Sequence, residues 1–297
     1  MSALPEGYLD VAHLFPCAIQ SGFTSAPQSI SLDRHRLTYV PLSDAALNVT
    51  KASAGTSHEI VDNLPLTSPG TQAWRAIFPE GSINPANKIA PKGGFGFYMG
   101  GPGADLSFEN ATEILLSYAV YFEPGFEFVR GGKLPGPYGG STPEIAYGCS
   151  GGRKEDRDQA FSLRLMWRRN GDGEIYAYLP LVKENTDVLT RVPPKSEQNP
   201  DYGFSIGRGA WRFKPGKWTV VAQRVQLNDA GVANGEIDIW ANGEKVICAT
   251  GVVIRENPDT VFRGAHFQTF FGGNQPEWAS PKTQCALFAN ISGAIIR

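Results

Sequence analysis

Apolar residues at every second position are the feature that most constrains the fold of this sequence. Between residues 113 and 122, one set of alternate positions is wholly apolar: Ile114, Leu116, Tyr118, Val120 and Phe122. Such a set lies on one face of a β-strand. Runs at 218–227, 262–271 and 285–296 predict further strands. Residues 236–249 read as a hairpin with a turn at Asn242-Gly243.

Composition narrows this pattern to one architecture. The chain has 34 glycines and 22 prolines, which suit frequent turns between short strands, and no segment carries a long helical stripe. Its 41% of hydrophobic residues can form a substantial core. The sequence therefore predicts an all-β protein, a β-jelly roll sandwich of two antiparallel sheets with a concave groove. No linker divides residues 1–297, so we expect one domain, and we expect it to be a monomer.

Several functional classes are disfavoured. The formal net charge is −2 with both signs mixed along the chain, which predicts no nucleic-acid partner. No apolar run is long enough to span a membrane, and the first residues do not resemble a signal peptide. Neither the four histidines nor the four cysteines have metal-ligand spacing, so we expect no metal and no other cofactor. One or two disulfides are possible.

An unusual lysine lies in the segment FVRGGKLPGPYGG, residues 128–140. Glycine permits close approaches that other residues cannot make, and proline stiffens the chain. This predicts a loop of fixed shape that holds Lys133 in place. The alternative is an ordinary loop with a solvated lysine. The basic pair Arg168-Arg169 is expected to lie mostly on the solvated surface.

Two further pairs of polar side chains lie on either side of a turn signal, Asn170-Gly171-Asp172-Gly173. Ser162 and Arg164 share one strand face, and so do Tyr176 and Tyr178. A two-residue loop at Gly171-Asp172 would pair Arg164 with Leu179 and separate the two faces. A three-residue loop, 171–173, pairs Arg164 with Pro180 and brings the faces together. The glycine-rich turn favours the three-residue loop.

A sheet face with Arg164, Ser162 and two tyrosines, beside Lys133, would bind an anionic sugar well. Arginine forks onto carboxylates, and tyrosine rings stack on sugars or hydrogen-bond to them. The alternative makes the tyrosines half-buried sheet residues and places Arg164 in a surface ion pair.

Four longer motifs carry a family resemblance: YAVYFEPGFEFVRGGKLPGPYGG, FSLRLMWRRNGDGEIYAYLP, DYGFSIGRGAWRFKPGKWTVVAQRVQLND and FQTFFGGNQPEWASPKTQ. They resemble polysaccharide lyase family 14, known from fungi, algal viruses and molluscs. The resemblance covers roughly residues 70–296, so residues 1–69 would add N-terminal strands and loops. Two positions depart from the family pattern. Pro137 replaces a leucine, and Ala160 replaces a cysteine, which would leave Cys149 without a partner.

The resemblance implies a secreted jelly-roll enzyme that cleaves 1,4-linked polyuronides by β-elimination. It matches Lys133, Ser162, Arg164, Tyr176 and Tyr178 to the family's catalytic positions. Arg164 and Lys133 would neutralise the uronate carboxylate, with Ser162 as a hydrogen-bond donor. Nearby cations favour tyrosinate, so one of the two tyrosines is expected to act as base and then as acid. Tyr176 is preferred to Tyr178, and Lys133 is the alternative base. Activity is then expected at neutral to alkaline pH.

Three other residues are candidate sugar contacts: Gln268, Tyr138 and His266. The substrate is expected to be an acidic polysaccharide. Glucuronan is preferred because the motifs are of the fungal type, and alginate is the alternative. A non-catalytic carbohydrate-binding jelly roll is a competing function. A β-glucan hydrolase is a weaker one, because no pair of carboxylates has a suitable setting.

Overall fold

The computed structural model describes residues 4–27, 36–103, 106–151 and 153–297. Within these ranges almost all regular structure is β. The helices are short: α1 (Pro143–Gly148), α2 (Lys183–Leu189) and 3-10 turns at Val11–Leu14, Phe108–Asn110, Arg169–Gly171 and Pro276–Trp278. None of the helices in the described ranges combines the length and apolar character needed to cross a membrane.

The strands form two nine-stranded sheets. Sheet A contains β1 (Ser21–Thr24), β2 (Leu37–Tyr39), β4 (Glu59–Val61), β5 (Ala73–Phe78), β7 (Glu113–Phe122), β14 (Trp218–Gln226), β15 (Gly235–Ala241), β16 (Glu244–Val252) and β18 (Gln284–Ile295). Sheet B contains β3 (Val49–Thr50), β6 (Phe95–Met99), β8 (Gly131–Leu134), β9 (Gly136–Gly140), β10 (Ala160–Arg168), β11 (Gly173–Tyr178), β12 (Glu197–Asn199), β13 (Gly203–Ile206) and β17 (Val261–Phe271).

The predicted all-β jelly-roll sandwich is confirmed. The order in sheet A is β16-β15-β14-β7-β18-β1-β2, with β5 on β18 and β4 on β5. The order in sheet B is β12-β13-β11-β10-β8-β17-β6-β3, with β9 between β10 and β17. Strand pairs in the described ranges are antiparallel except for β1 and β2, which are parallel. The predicted hairpin at 236–249 is also confirmed, with Asn242 and Gly243 both at positive φ in its two-residue turn.

Side chains on β10 alternate between the core of the sandwich and the opposite face of sheet B. Phe161, Leu163, Leu165 and Trp167 are buried in the core between the sheets. The residues between them, including Ser162, Arg164 and Met166, must lie on the opposite face of sheet B. We call that opposite face the open face.

Aromatic rings from both sheets fill the core. Trp167 of sheet B contacts Phe122 and Phe78 of sheet A, with ring centroids 5.5 and 5.9 Å apart and near-perpendicular planes. Tyr118 of sheet A lies 5.7 Å from Phe267 of sheet B. Such edge-on contacts stabilise aromatic pairs beyond their buried area. They therefore hold sheet B at a fixed position over sheet A.

The predicted register of the β10–β11 hairpin is wrong, although its predicted consequence is confirmed. Arg164 pairs with Tyr176, and the three-residue loop is 169–171. Asn170 and Gly171 supply the positive φ angles of 59° and 79°. Gly173 instead belongs to β11, where a Cβ would lie 2.0 Å from the Trp211 ring. The loop still has an odd number of residues, so both polar pairs share the open face.

The segment around Lys133 forms strands rather than the predicted loop. It gives β8 and β9, which are separated by Pro135 and inserted between β10 and β17. Glycine is required at Gly132, where a Cβ would lie 2.0 Å from Trp167, and at Gly136, where it would lie 2.1 Å from the Leu163 carbonyl oxygen. Pro137, the departure from the family pattern, lies within β9 opposite Ala265.

The four cysteines all lie within the described ranges, and each is a free thiol. Cys149 is buried and packs against Ala160 and Tyr178. The expected loss of its partner at position 160 is therefore accommodated by an apolar contact.

Two adjacent residues on β5 test which side chains of the strand face the core and which face solvent. Phe78 is fully buried, whereas Ile77 is 42% exposed. We expect Phe78→Ala to lower the free energy of unfolding by about 3–5 kcal/mol, because it leaves an aromatic cavity in the core. Ile77→Ala should change it by about 0.5 kcal/mol. Urea unfolding of both variants measures this, and equal losses would contradict the assignment.

Candidate active site

Strand register brings five of the predicted residues onto the open face. Ser162 lies opposite Tyr178, and Arg164 lies opposite Tyr176. Lys133 lies opposite Met166, two residues after Arg164 on β10. Directly opposed residues of antiparallel strands project to the same side. We call Lys133, Ser162, Arg164, Tyr176 and Tyr178 the basic-aromatic cluster.

Lys133 is a buried amine without a carboxylate partner among the described residues. Its side chain is only 7% exposed. The Nζ lies 3.2 Å from Met166 Sδ and 3.4 Å from the centre of the Tyr176 ring. Burial lowers the pKa of Lys133 well below its ordinary value, and the charges of Arg164 and Arg168 lower it further. The neutral amine is therefore favoured far more than in an ordinary lysine.

Glu174 is the buried carboxylate of this face, and it is engaged elsewhere. It is fully buried and accepts hydrogen bonds from Arg168 Nε and Arg208 Nε, both at 2.7 Å. The Ser205 hydroxyl donates to it as well, at 2.6 Å. Burial alone would raise the pKa of Glu174, but Arg168 and Arg208 outweigh burial and lower it. Because these partners occupy Glu174, it does not pair with Lys133.

Arg164 and Ser162 have unused hydrogen-bonding capacity. Arg164 is 2% exposed, and its Nη1 donates to Gln268 Oε1 at 2.6 Å. Its Nε and the Ser162 hydroxyl have no hydrogen-bond partner within the described part of the chain. Buried donors are normally paired, and unpaired ones tend to mark a functional site. The alternative that placed Arg164 in a surface ion pair is therefore wrong.

The tyrosines lie edge to face and are flanked by cations. Their ring centroids are 5.6 Å apart, with planes at 87°. Arg157 lies 4.5 Å from the Tyr178 ring, and Arg168 lies 5.7 Å from the Tyr176 ring. Burial, followed by the neighbouring Tyr178, raises the pKa of Tyr176, and Arg168 only partly opposes this. The expectation that cations would favour tyrosinate is therefore wrong for Tyr176, because desolvation outweighs their attraction.

The three expected sugar contacts also lie on the open face. Gln268 binds Arg164, as described above. His266 is 5% exposed and stacks on Tyr98 at 4.3 Å, and burial, with Arg164 and Lys133, lowers its pKa well below the ordinary value. Tyr138 lies opposite Ser162 and 4.8 Å from the Tyr98 ring. A separate cavity of about 350 Å³ adjoins Tyr138 but does not include the cluster.

Sequence reasoning missed Arg168, Arg157 and Tyr98. Arg168 was expected at the solvated surface, yet its side chain is 13% exposed because it pairs with Glu174. Arg168 lies an even number of residues from Ser162 and Arg164 on β10, so strand alternation predicts that it shares their face. Arg157 precedes β10 and is 5% exposed, and its Nη2 donates to the Tyr202 carbonyl at 2.8 Å. No periodic signal identifies it.

Within the described ranges no group of three histidine, cysteine, aspartate or glutamate side chains could hold a metal ion. His35 lies outside those ranges.

A jelly-roll sandwich with a basic and aromatic sheet face is an architecture of carbohydrate-binding and carbohydrate-cleaving proteins. The chain belongs to polysaccharide lyase family 14, whose family model matches residues 67–291, and it is a polysaccharide lyase. The resemblance seen in the sequence is thereby confirmed. No match is found among curated proteins.

Solved structures of lyases resemble the chain over most of its length. The crystal structure of the marine PL-14 alginate lyase from Aplysia kurodai is 30% identical, with a TM-score of 0.72, covering 94% of this chain and 100% of that one. Alginate lyase vAL-1 from Chlorella virus is 23% identical, with a TM-score of 0.64, covering 86% and 98%. Alginate lyase Aly36B is 22% identical, with a TM-score of 0.57, covering 77% and 82%. The last two similarities establish the fold alone.

The charge state of Lys133 has a consequence for stability. Its pKa is lowered on folding, so the folded state resists protonation that the unfolded chain accepts. This penalty is complete below the folded pKa and disappears as the pH rises to the unfolded value of about 10.4. We therefore expect Lys133→Met to be more stable than the wild type at acidic and neutral pH. Its advantage should shrink by about 1.4 kcal/mol per pH unit between those two pKa values.

Chemical unfolding at a series of pH values measures this difference. Lys154→Met is the control, because Lys154 is exposed on the surface, and its effect should stay small. A difference for Lys133→Met that does not change between neutral pH and about pH 10 would contradict the lowered pKa.

Proposed function

We propose that this lyase cleaves a 1,4-linked polyuronide by β-elimination at the basic-aromatic cluster. The observation that carries the proposal is Lys133, a buried amine beside Arg164 with no carboxylate partner among the described residues. A uronate carboxylate would balance the charge of Arg164, whose guanidinium has no ion pair among the described residues and leaves the neighbouring amine neutral. The unpaired Nε of Arg164 and the Ser162 hydroxyl are available to donate to it.

The reaction removes the proton on C5, breaks the C4–O4 bond and forms a C4–C5 double bond. The C5 proton is weakly acidic while the adjacent carboxylate carries full charge, so cationic donors must offset the charge that develops there. Arg164 is suited to this role, because its guanidinium always carries charge and forks onto carboxylates. Gln268 holds the guanidinium in place through the bond to Nη1.

We assign the base to Lys133 rather than to Tyr176. The amine has a lowered pKa and takes the C5 proton in its neutral form. Tyr176 has a raised pKa and stays protonated, so it can donate a proton to O4 as the bond to C4 breaks. After the product leaves, Lys133 releases its proton to solvent and Tyr176 takes one up from solvent, which restores both groups for the next cycle. Tyr178 contacts the Arg157 guanidinium and the Tyr176 ring, so its role is to position Tyr176 beside Lys133.

Alginate is the favoured polyuronide. The Aplysia kurodai structure is that of an alginate lyase and matches 94% of this chain at 30% identity. The sequence analysis prefers glucuronan as the substrate, and that preference stays a prediction. Both polymers present a carboxylate beside an acidic C5 proton, so the same cluster chemistry serves either. A purely binding module is disfavoured by the burial of the Lys133 amine and its lowered pKa, because binding of an anion alone is better served by an ordinary, charged lysine.

We further propose that the enzyme acts outside the cell as a monomer. Polymeric uronates do not cross membranes, so a lyase meets them outside. One chain supplies every residue of the cluster, so the site needs no second copy. Light scattering of the purified protein tests the monomer, and N-terminal sequencing of protein from the culture medium tests secretion.

The ultraviolet absorbance of unsaturated product tests the reaction. We expect absorbance to rise with polymannuronate, polyguluronate or polyglucuronate and to stay flat with a neutral β-glucan. Lys133→Ala should lose about 10²–10⁴-fold in turnover, because it removes the base. In the wild type, kcat/KM should rise with pH as Lys133 loses its proton and level off below the ordinary lysine range. A rate that still rises near pH 10 would contradict Lys133 as the neutral base.

The assignment of the acid is tested with three tyrosine variants. Tyr176→Phe should lower kcat by about 10²–10⁴-fold, because it removes the proton donor to O4. Tyr178→Phe should lower it less. Tyr39→Phe is the matched control, because Tyr39 is 41% exposed and lies on β2 of sheet A, away from the cluster. Initial rates at saturating substrate measure kcat, and full activity in Tyr176→Phe would overturn the assignment.

A further inference from the structure

One tryptophan near the basic-aromatic cluster is more exposed than the other five. Five of the six tryptophans, Trp74, Trp167, Trp211, Trp218 and Trp240, are at most 7% exposed. Trp278, on the 3-10 turn that follows β17, is the one left partly exposed. A large indole that meets solvent is suited to stacking on the apolar face of a sugar ring.

The indole of Trp278 has a fixed position. Gly273 lies beneath it at a φ of 81°, and a Cβ there would lie 2.4 Å from the ring atoms Cγ and Cδ2. The Trp278 amide donates to the Gln275 carbonyl at 2.9 Å, which closes the turn. The backbone of Gly272 donates to Gly131 at 3.0 Å, so this turn is attached to the start of β8.

This attachment places Trp278 beside the proposed active site. The Arg168 guanidinium lies near both aromatic rings, 5.7 Å from the centre of Tyr176 and 6.0 Å from that of Trp278. Tyr176 in turn lies under Lys133. A polymer bound at Lys133 would therefore reach Trp278 with its neighbouring sugar units.

A second cation at the indole is only weakly held. The Arg130 guanidinium lies 6.0 Å from the Trp278 ring and 3.2 Å from Glu277. Both side chains of that ion pair are well exposed, at 39% and 49%. Exposed pairs of this kind contribute little. Arg130 can therefore exchange Glu277 for a carboxylate of a ligand.

We propose that Trp278 and Arg130 form a second uronate subsite next to the basic-aromatic cluster. The indole stacks on a sugar ring, and Arg130 binds that sugar's carboxylate in place of Glu277. This inference rests on the proposed function, because the ligand is the same polyuronide. The subsite contributes to affinity for a chain of several units and takes no part in proton transfer.

Intrinsic tryptophan fluorescence reports on this subsite. The protein is the Lys133→Ala variant, which does not consume its ligand, and the probes are saturated tetramannuronate and tetraglucuronate. We expect at least one probe to change the fluorescence, because Trp278 is the partly exposed indole. Trp278→Phe in the same background should abolish the change. Isothermal calorimetry should show Arg130→Ala weakening the binding about tenfold, as expected for loss of a charge-assisted contact.

Arg169→Ala is the matched control, because Arg169 is an exposed arginine in the loop beside Arg168 and does not contact Trp278. It should bind as the parent does. Calorimetric binding with unchanged fluorescence, or equal affinity in Arg130→Ala and Arg169→Ala, would overturn the subsite and leave the proposed function intact. Failure of both uronate probes to bind would overturn the proposed function, and the subsite with it.

Discussion

The structure around the open face depends on one constraint, the burial of the Lys133 amine among other cations. An isolated charge is costly to bury, and a lysine meets that cost most readily by losing its proton. Arg164 and Arg168 add to the cost, while Glu174, a buried carboxylate of the same face, is bound to Arg168 and Arg208. The result is an amine whose neutral form is favoured far more than that of an ordinary lysine. In the proposed function, a uronate carboxylate balances the charge of Arg164 and not that of the amine.

The core residues of sheet B also keep the Lys133 amine and its neighbouring cations buried together on the open face. On β10, Trp167 and Leu165 face inward, and Arg164 and Met166 face outward. Aromatic contacts between Trp167 and Phe122 fix sheet B on sheet A. The strand cannot rotate to expose Arg164 without losing the buried surface of its other face. Gly132 lets β8 lie close over Trp167, which places Lys133 opposite Met166.

Much of the fold could be predicted because period-two alternation depends only on local sequence. The strand at 112–122 follows from it directly, whereas the Asn242-Gly243 hairpin and the shared face of Arg164 and Tyr176 follow from it together with local turn signals. The hairpin register could not, because Gly173 is held in β11 by contact with Trp211, which is distant in the chain. The raised pKa of Tyr176 could not either, since desolvation depends on packing that no short motif reports. The five cluster residues could be singled out from strand alternation, the turn signal and the glycine-rich segment. Their match to catalytic positions comes from the family resemblance, and their roles remain predictions.

The protonation state of Lys133 is the central claim, and nuclear magnetic resonance can measure it directly. Protein with labelled lysine side chains would be titrated from about pH 6 to 10, with Lys133 assigned by the signal missing in a variant at that position. We predict that the Lys133 side-chain signals titrate well below the ordinary lysine pKa of about 10.4, while exposed lysines keep their charge. A Lys133 signal that titrates together with the exposed lysines would contradict the account, because the amine would then be charged at neutral pH and could not act as the base.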